Sequence, residues 1–353
     1  MARTPSPDSR PAVAAWLFAC CALVFAMVVV GGITRLTHSG LSIVEWQPVM
    51  GAIPPLGDAQ WQAEFDKYKL SPEYLQRNFD MTLAGFKGIF WWEYSHRLLG
   101  RIIGAAFLLP FLYFLARGQV RGGLAWRLAG IFVLGGLQGA VGWLMVASGL
   151  VDDPRVSSVR LAAHLGIAFL IYGALLWLAL GLVTEPEPRV GRGLLRLSRA
   201  FAALVFVMVL SGALVAGIHA GLAYNTFPRM NGEWIPDEVM LIDPWWKNLV
   251  FNMATVQLDH RIIAMLVALG AIWSWSWARR SGAPRQRAWA NALLIAAALQ
   301  VCAGIATLLL RVPIPLAAIH QAGALAVFTC ALGLAHALQG GPDYNGKGGA
   351  AGM

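Results

Sequence analysis

Long apolar runs alternate with short polar connectors along the whole chain. A run of about 20 apolar residues crosses roughly 30 Å of hydrocarbon as a helix. Such runs recur eight times, near residues 12–33, 90–115, 125–147, 159–183, 199–219, 255–278, 287–310 and 315–338. The last two are separated only by a Pro-containing link from Arg311 to Pro315. Two connectors are long, about 35–89 and 220–254. In the first, WQAEFDKY sets Trp61, Phe65 and Tyr68 at helical spacing, which predicts an amphipathic helix on the membrane interface, either covering a site entrance or packing on the bundle ends. The pattern predicts an all-α polytopic membrane protein with eight transmembrane helices.

Composition agrees: 58% of the 353 residues are apolar and 13% charged. The net charge of +9 could suggest a nucleic-acid partner, but its arginines cluster in alternate short loops. These are Arg117, Arg121 and Arg127, then Arg189, Arg192, Arg196 and Arg199, then Arg279, Arg280, Arg285 and Arg287. The positive-inside rule then puts both termini in the cytoplasm and the long connectors outside, so the charge reports topology and no nucleic acid is expected. The first span has no small-residue cleavage pattern and is expected to be retained, in a bacterial inner membrane. Cys20, Cys21, Cys302 and Cys330 all fall in apolar spans, where they are expected to act as small buried hydrophobes.

Four even-numbered spans each carry one histidine near the predicted outer side: His96, His164, His260 and His320. At 1.5 Å rise per residue all four lie within roughly 10 Å of that surface. Their spacing reveals a repeat. His96 to His260 is 164 residues, His164 to His320 is 156, and Gln138 in LQGAVG lies 162 before Gln300 in LQVCAG. The expected organisation is a short N-terminus (1–11), an N-terminal four-helix half (12–184), a linker (185–198), a C-terminal four-helix half (199–338) and a Gly-rich tail (339–353), the halves being pseudo-symmetric bundles with one histidine pair each. His38 and His219 follow the first and fifth spans in similar places and are expected to make polar contacts without ligating; His336 lies near the inner end of the last span, with no chemistry assigned.

A histidine inside a membrane is a functional hypothesis, the alternative being an interhelical hydrogen bond. Two neutral imidazoles facing inward in a bundle suit haem iron, which takes axial nitrogens from both faces. A tetrahedral zinc site would want further cysteine or carboxylate ligands. The glycines of GGLQGAVG (Gly135, Gly136, Gly139, Gly142) and Gly304 suit either close helix packing or a flat ring. Arg97, Arg101 and Arg261 follow the histidines and either pair with haem propionates or extend to the interface.

The halves differ in one respect. Three residues before His96 is Glu93, on the same helix face; three before His260 is Gln257. A carboxylate accepts protons and an amide does not, which singles out the first half for chemistry unless Glu93 is only a helix-start charge. Asp259 is turned away from the face of His260.

The segments GGITRLTHSGLSIVEWQPVMGAIPPL (31–56), EFDKYK (64–69), WWEYSHRLLGR (91–101), LQGAVGWLMVASGL (137–150) and QLDHRIIA (257–264) resemble the haem A synthase family, in its alphaproteobacterial and mitochondrial branch. The resemblance implies oxidation of a ring methyl of haem O to a formyl group, giving haem A for terminal oxidases, by way of an alcohol and a gem-diol. It implies that His96 and His164 hold the substrate haem, that Glu93 is the acid/base residue, and that His260 and His320 hold a haem b cofactor, the haem sites lying near the periplasmic side. Some relatives carry a cysteine pair in the first outer loop; residues 35–89 contain none, so no thiol role in haem handover is implied here. A haem O synthase, an electron-transfer partner and surrounding lipid are expected partners, and a homo-oligomer is compatible. The rival reading is a di-haem b electron-transfer protein without substrate chemistry, against which Glu93 stands. A transporter fits less well because the polar groups gather at one surface.

Overall fold

The computed structural model describes residues 10–46, 50–151, 154, 156–185, 187 and 190–340. Arg189, used above to read topology, lies outside the described residues, as do 1–9 and 341–353 of the predicted termini. Among the described residues, eight helices are long and apolar enough to span a membrane. They are α1 (Arg10–Leu36), α4 (Leu83–Ala116), α5 (Gly122–Gly149), α6 (Ser158–Val183), α7 (Arg192–Gly217), α9 (Met253–Ser281), α10 (Pro284–Leu309) and α11 (Ile314–Ala337), with short helices α2 (Asp58–Lys69), α3 (Pro72–Gln76) and α8 (Asn248–Phe251) in the long connectors.

Helices α1, α4, α5 and α6 pack as one group and α7, α9, α10 and α11 as another, joined where α6 meets α7 and α11 and where α1 meets α11. Across that junction Phe169 of α6 contacts Phe328 of α11, Tyr172 Oη lies 2.8 Å from Thr329 Oγ1, and Gln321 Nε2 donates to Val28 O at 2.6 Å. The apolar core follows these central helices, whereas α5 turns most of its surface outward. Interhelical packing in hydrocarbon relies on such contact and hydrogen bonding, since lipid is as apolar as the core.

Two expectations change. The helix bearing Glu93 begins at Leu83, capped by Thr82 Oγ1 accepting from Gly85 N at 3.3 Å, well before residue 90. At 34 residues the helix is longer than the about 20 needed to cross a bilayer, so the apolar-run length does not reveal its start. Its apolar residues Phe86, Phe90 and Tyr94 pack against Trp61, Phe65 and Tyr68 of α2. The α2 stripe therefore faces the N-terminal part of α4; of the two roles foreseen, packing on the bundle end is the one observed. Secondly, Cys20 and Cys21 are buried as expected, but Cys302 is exposed on α10. A small thiol inside a span tolerates either face of the helix.

Candidate functional site between the helix groups

All eight residues predicted for the site, Glu93, His96, Arg97, Arg101, His164, His260, Arg261 and His320, line a single cavity of about 1630 Å³. One pair per half was expected, with nothing to say whether the two spaces join. They join in one space lined by residues of α1, α6, α7 and α11 among others. Asp259 and His336 are not in the wall; His336 packs edge-on to Trp177, with ring centroids 5.0 Å apart.

Each of the four histidines lies against a glycine on a neighbouring helix. A methyl added at Gly142 would lie 2.7 Å from His164 Cε1, and one at Gly304 would lie 2.7 Å from His320 Cε1. Gly31 stands in the same relation to His96 Nε2 at 3.0 Å, and Gly212 to His260 Cε1 at 3.1 Å. Any larger residue would push the ring away. Gly135, Gly136 and Gly139 meet no neighbour within 4 Å and line the cavity, whereas Gly142 of the same motif is packed against His164.

Ser211 Oγ donates to Met208 O at 2.9 Å and lies 2.8 Å from His260 Nδ1. With its proton so used, the hydroxyl accepts from Nδ1–H, and a neutral ring then offers Nε2 as a lone pair. His164 Nδ1, His320 Nδ1, Gln138 Oε1 and Gln300 Oε1 are buried without a hydrogen-bond partner, and Gln138 Nε2 lies 3.3 Å from His164 Nε2. Buried imidazoles in an apolar cavity, seated on glycines and with polar atoms left over, fit a macrocycle with two axial ligands. No cluster of three or more His, Cys, Asp or Glu suited to a metal ion occurs among the described residues, and the histidines present themselves as pairs.

Glu93 is 2% exposed, ten positions into α4, so the helix-start explanation for its charge does not hold. Its Oε2 accepts from Ser42 Oγ at 2.8 Å and from Ile43 N at 2.7 Å; its Oε1 accepts from Arg97 Nε at 3.0 Å and Nη2 at 2.6 Å. Four donor atoms, two of them on one guanidinium, thus surround the carboxylate. Arg97 also donates to Glu45 O and Ile43 O, at 3.0 and 2.8 Å, tying the loop after α1 down over the carboxylate. The corresponding Arg261 donates to Gln257 Oε1 at 3.3 Å and to Tyr224 O and Thr226 O at 3.1 and 2.9 Å, while Gln257 Nε2 donates to Ala220 O at 2.9 Å. The same arginine position thus holds an acid in one half and an amide in the other.

Sequence reasoning missed Ser42 and Ile43, whose donors are set by loop conformation, and Glu73, which in SPEY reads as an exposed first-turn acid but is 2% exposed. His38 and His219 both adopt left-handed backbone, φ 53° and 57°, and stack with centroids 6.5 Å apart and planes 14° apart at the mouth of the cavity. His38 Nδ1 lies 3.3 Å from Arg77 Nη1.

The fold and site define a polytopic helical membrane protein whose two helix groups enclose paired imidazoles and one clamped carboxylate. The family model described as cytochrome oxidase assembly protein, COX15-CtaA, matches residues 14–332, and the chain belongs to that family. It is 55% identical over 334 residues to the Heme A synthase of Nitrosospira multiformis, covering 93% of each chain. It is 51% identical over 326 residues to that of Nitrosomonas eutropha (91% of this chain, 92% of the other). With that of Parvibaculum lavamentivorans it shares 50% over 327 residues, covering 93% of this chain and 94% of the other.

Proposed function

We propose that this protein is an enzyme that converts haem O to haem A for a cytochrome oxidase, with the chemistry in its N-terminal half. The net change at the ring carbon is R–CH3 + H2O → R–CHO + 4 H⁺ + 4 e⁻, so the site must take away protons and pass electrons to an acceptor. His96 and His164 are assigned to hold the substrate iron, His96 fixed by Gly31 and His164 by Gly142. Glu93 takes the protons. The observation that carries this reading is the clamp of Ser42, Ile43 N and Arg97 on Glu93 beside His96, with Gln257 in the equivalent place beside His260.

In the C-terminal half His260 and His320 are assigned to hold a haem b. That group, when bound, would supply single-electron transfer. The chain's own part there is orientation: Ser211 holds His260 with Nε2 free, and Gly304 sets the position of the His320 ring. The repeated imidazole–glycine pairs and the shared cavity support a pseudo-symmetric arrangement of two bundles. The arginine bias supports an inner membrane with both termini inside and the haem sites toward the periplasm.

Acid extraction and chromatography of the pigments of purified protein test this reading. The wild type should contain haem b with haem O or haem A, and Glu93→Gln should keep haem b while accumulating haem O or the alcohol, with haem A formation reduced about 10²- to 10⁴-fold. Haem b alone in the wild type would leave an electron carrier, and wild-type haem A from Glu93→Gln would move the chemistry elsewhere.

A further inference from the structure

The four donors on Glu93 raise a difficulty for its assigned role. A proton arriving on either oxygen displaces a hydrogen bond from Ser42, Ile43 N or Arg97, and it must move on for the next to be taken. Among the described residues, the cavity wall has one other carboxylate, Glu73. Ser71 caps α3 by accepting from Tyr74 N at 3.3 Å and Pro72 opens it, which places Glu73 in the first turn and faces it inward. Glu73 also borders a second cavity of about 480 Å³ on the outer-loop side, lined by Thr37, His38, Arg77, Asn78 and His219 among others. It is therefore the carboxylate common to both spaces.

We propose that Glu73 is the outer member of a two-carboxylate proton relay, receiving protons from Glu93 through the large cavity and releasing them through the outer-loop cavity to the external water. The inference rests on the proposed oxidation of haem O, which supplies the protons. Each transfer makes and breaks only O–H bonds, and the electrons leave separately. Glu73 faces Arg77 on its own helix, Tyr68 of α2, Glu93 of α4, and His38 and His219 across the smaller cavity. Burial pushes its carboxyl up to about 7, Arg77 opposes the shift, and the charge on Glu93 adds to it. A group balanced near neutrality both accepts and releases a proton with small driving forces, which suits a relay and not a fixed counter-ion. Burial and Arg77 also hold His38 below its usual range, so it stays neutral beside the relay.

The test measures the pH dependence of haem A formation by the full-length protein in native membranes, for wild type, Glu73→Gln, Glu73→Asp and Glu93→Gln. PH-difference infrared spectra of the purified proteins run alongside. The wild-type rate should rise through a limb near 7, the value to which Glu73 is pushed. Glu73→Gln should lose that limb and slow about 10²-fold while retaining its haem b spectrum, and Glu73→Asp should restore turnover with the limb displaced. The protonated-carboxyl infrared band titrating near neutrality should vanish in Glu73→Gln. A merely structural role would lower the amount of folded protein without moving the limb or the band. An unchanged limb and rate in Glu73→Gln, with Glu93→Gln stalled, would overturn the relay and leave the proposed function standing. If Glu73→Gln does not accumulate, a limb in Glu73→Asp identical to wild type overturns it equally.

Discussion

The Glu93–Arg97 pair can be tested as a unit. Its side chains are 2% and 16% exposed, so removing one partner leaves the other largely out of water. Glu93→Gln keeps the volume of the side chain, yet every donor around it now faces a group with only one acceptor oxygen. With its oxygen toward Arg97, the amide keeps both guanidinium bonds and its NH2 donates to Ser42 Oγ, whose own proton turns to Ile89 O, but that NH2 then faces the Ile43 N–H; turned the other way, NH2 faces two guanidinium donors. At least one buried donor is left unpaired either way. Arg97 keeps the carbonyls of Ile43 and Glu45, which softens the loss, so a cost of about 3 kcal/mol is expected, at the low end for a broken buried pair. Arg97→Gln should cost about the same, because a buried carboxylate then lacks its cation. In the double variant neither charge is stranded, and the interaction term should recover about 2 kcal/mol of the summed losses. Unfolding midpoints of the four detergent-purified proteins measure this. Losses that add to within about 0.5 kcal/mol would show that the pair is not coupled and that the clamp argument fails.

Gly304→Ala should displace the His320 ring and remove most of the C-terminal low-spin haem signal, whereas Gly136→Ala, whose new methyl meets nothing within 4 Å, should retain it; equal spectra for the two would refute the cradle reading. Ser211→Ala removes the acceptor on His260 Nδ1 and should weaken haem retention on dilution about tenfold or more, with Ser211→Thr restoring it; unchanged retention in Ser211→Ala would show that the hydrogen bond is incidental.

The spans and the histidine set were legible because membrane insertion demands long apolar runs and charges the insertion of polar groups heavily, so each polar residue inside a run stands out. Glu93 was legible for the same reason, and from its contrast with Gln257. The outward extension of α4 was not, since beyond the hydrocarbon a helix needs only ordinary packing, here Phe86 and Phe90 on Phe65 and Trp61. The burial of Glu73 was illegible too. Nothing local in SPEY distinguishes a solvent-facing first turn from one folded inward under a loop, and the difference is made by residues such as His38 and Asn78 that the fold brings near. The partners of Arg97 fall in the same class: an arginine one turn after a glutamate suggests a pair, but its carbonyl acceptors at Ile43 and Glu45 come from a loop more than fifty residues away.

In the proposed assignment, little separates the reactive half from the holding half. Each has an arginine one turn after a polar side chain and directly after an imidazole-bearing residue, with loop carbonyls around the guanidinium. With glutamate at the earlier position, the arginine is paired with a carboxylate that lines the cavity. With glutamine there, the amide must satisfy the arginine with its oxygen and Ala220 O with its nitrogen, which fixes its orientation and leaves no proton acceptor. Introducing the acid as Gln257→Glu would set a carboxylate oxygen against the Ala220 carbonyl, a repulsive contact in place of a hydrogen bond. The neutral character of residue 257's site is therefore set by the geometry of one backbone carbonyl as much as by the identity of the residue, and the proposed division of labour between the halves rests on the packing around each arginine.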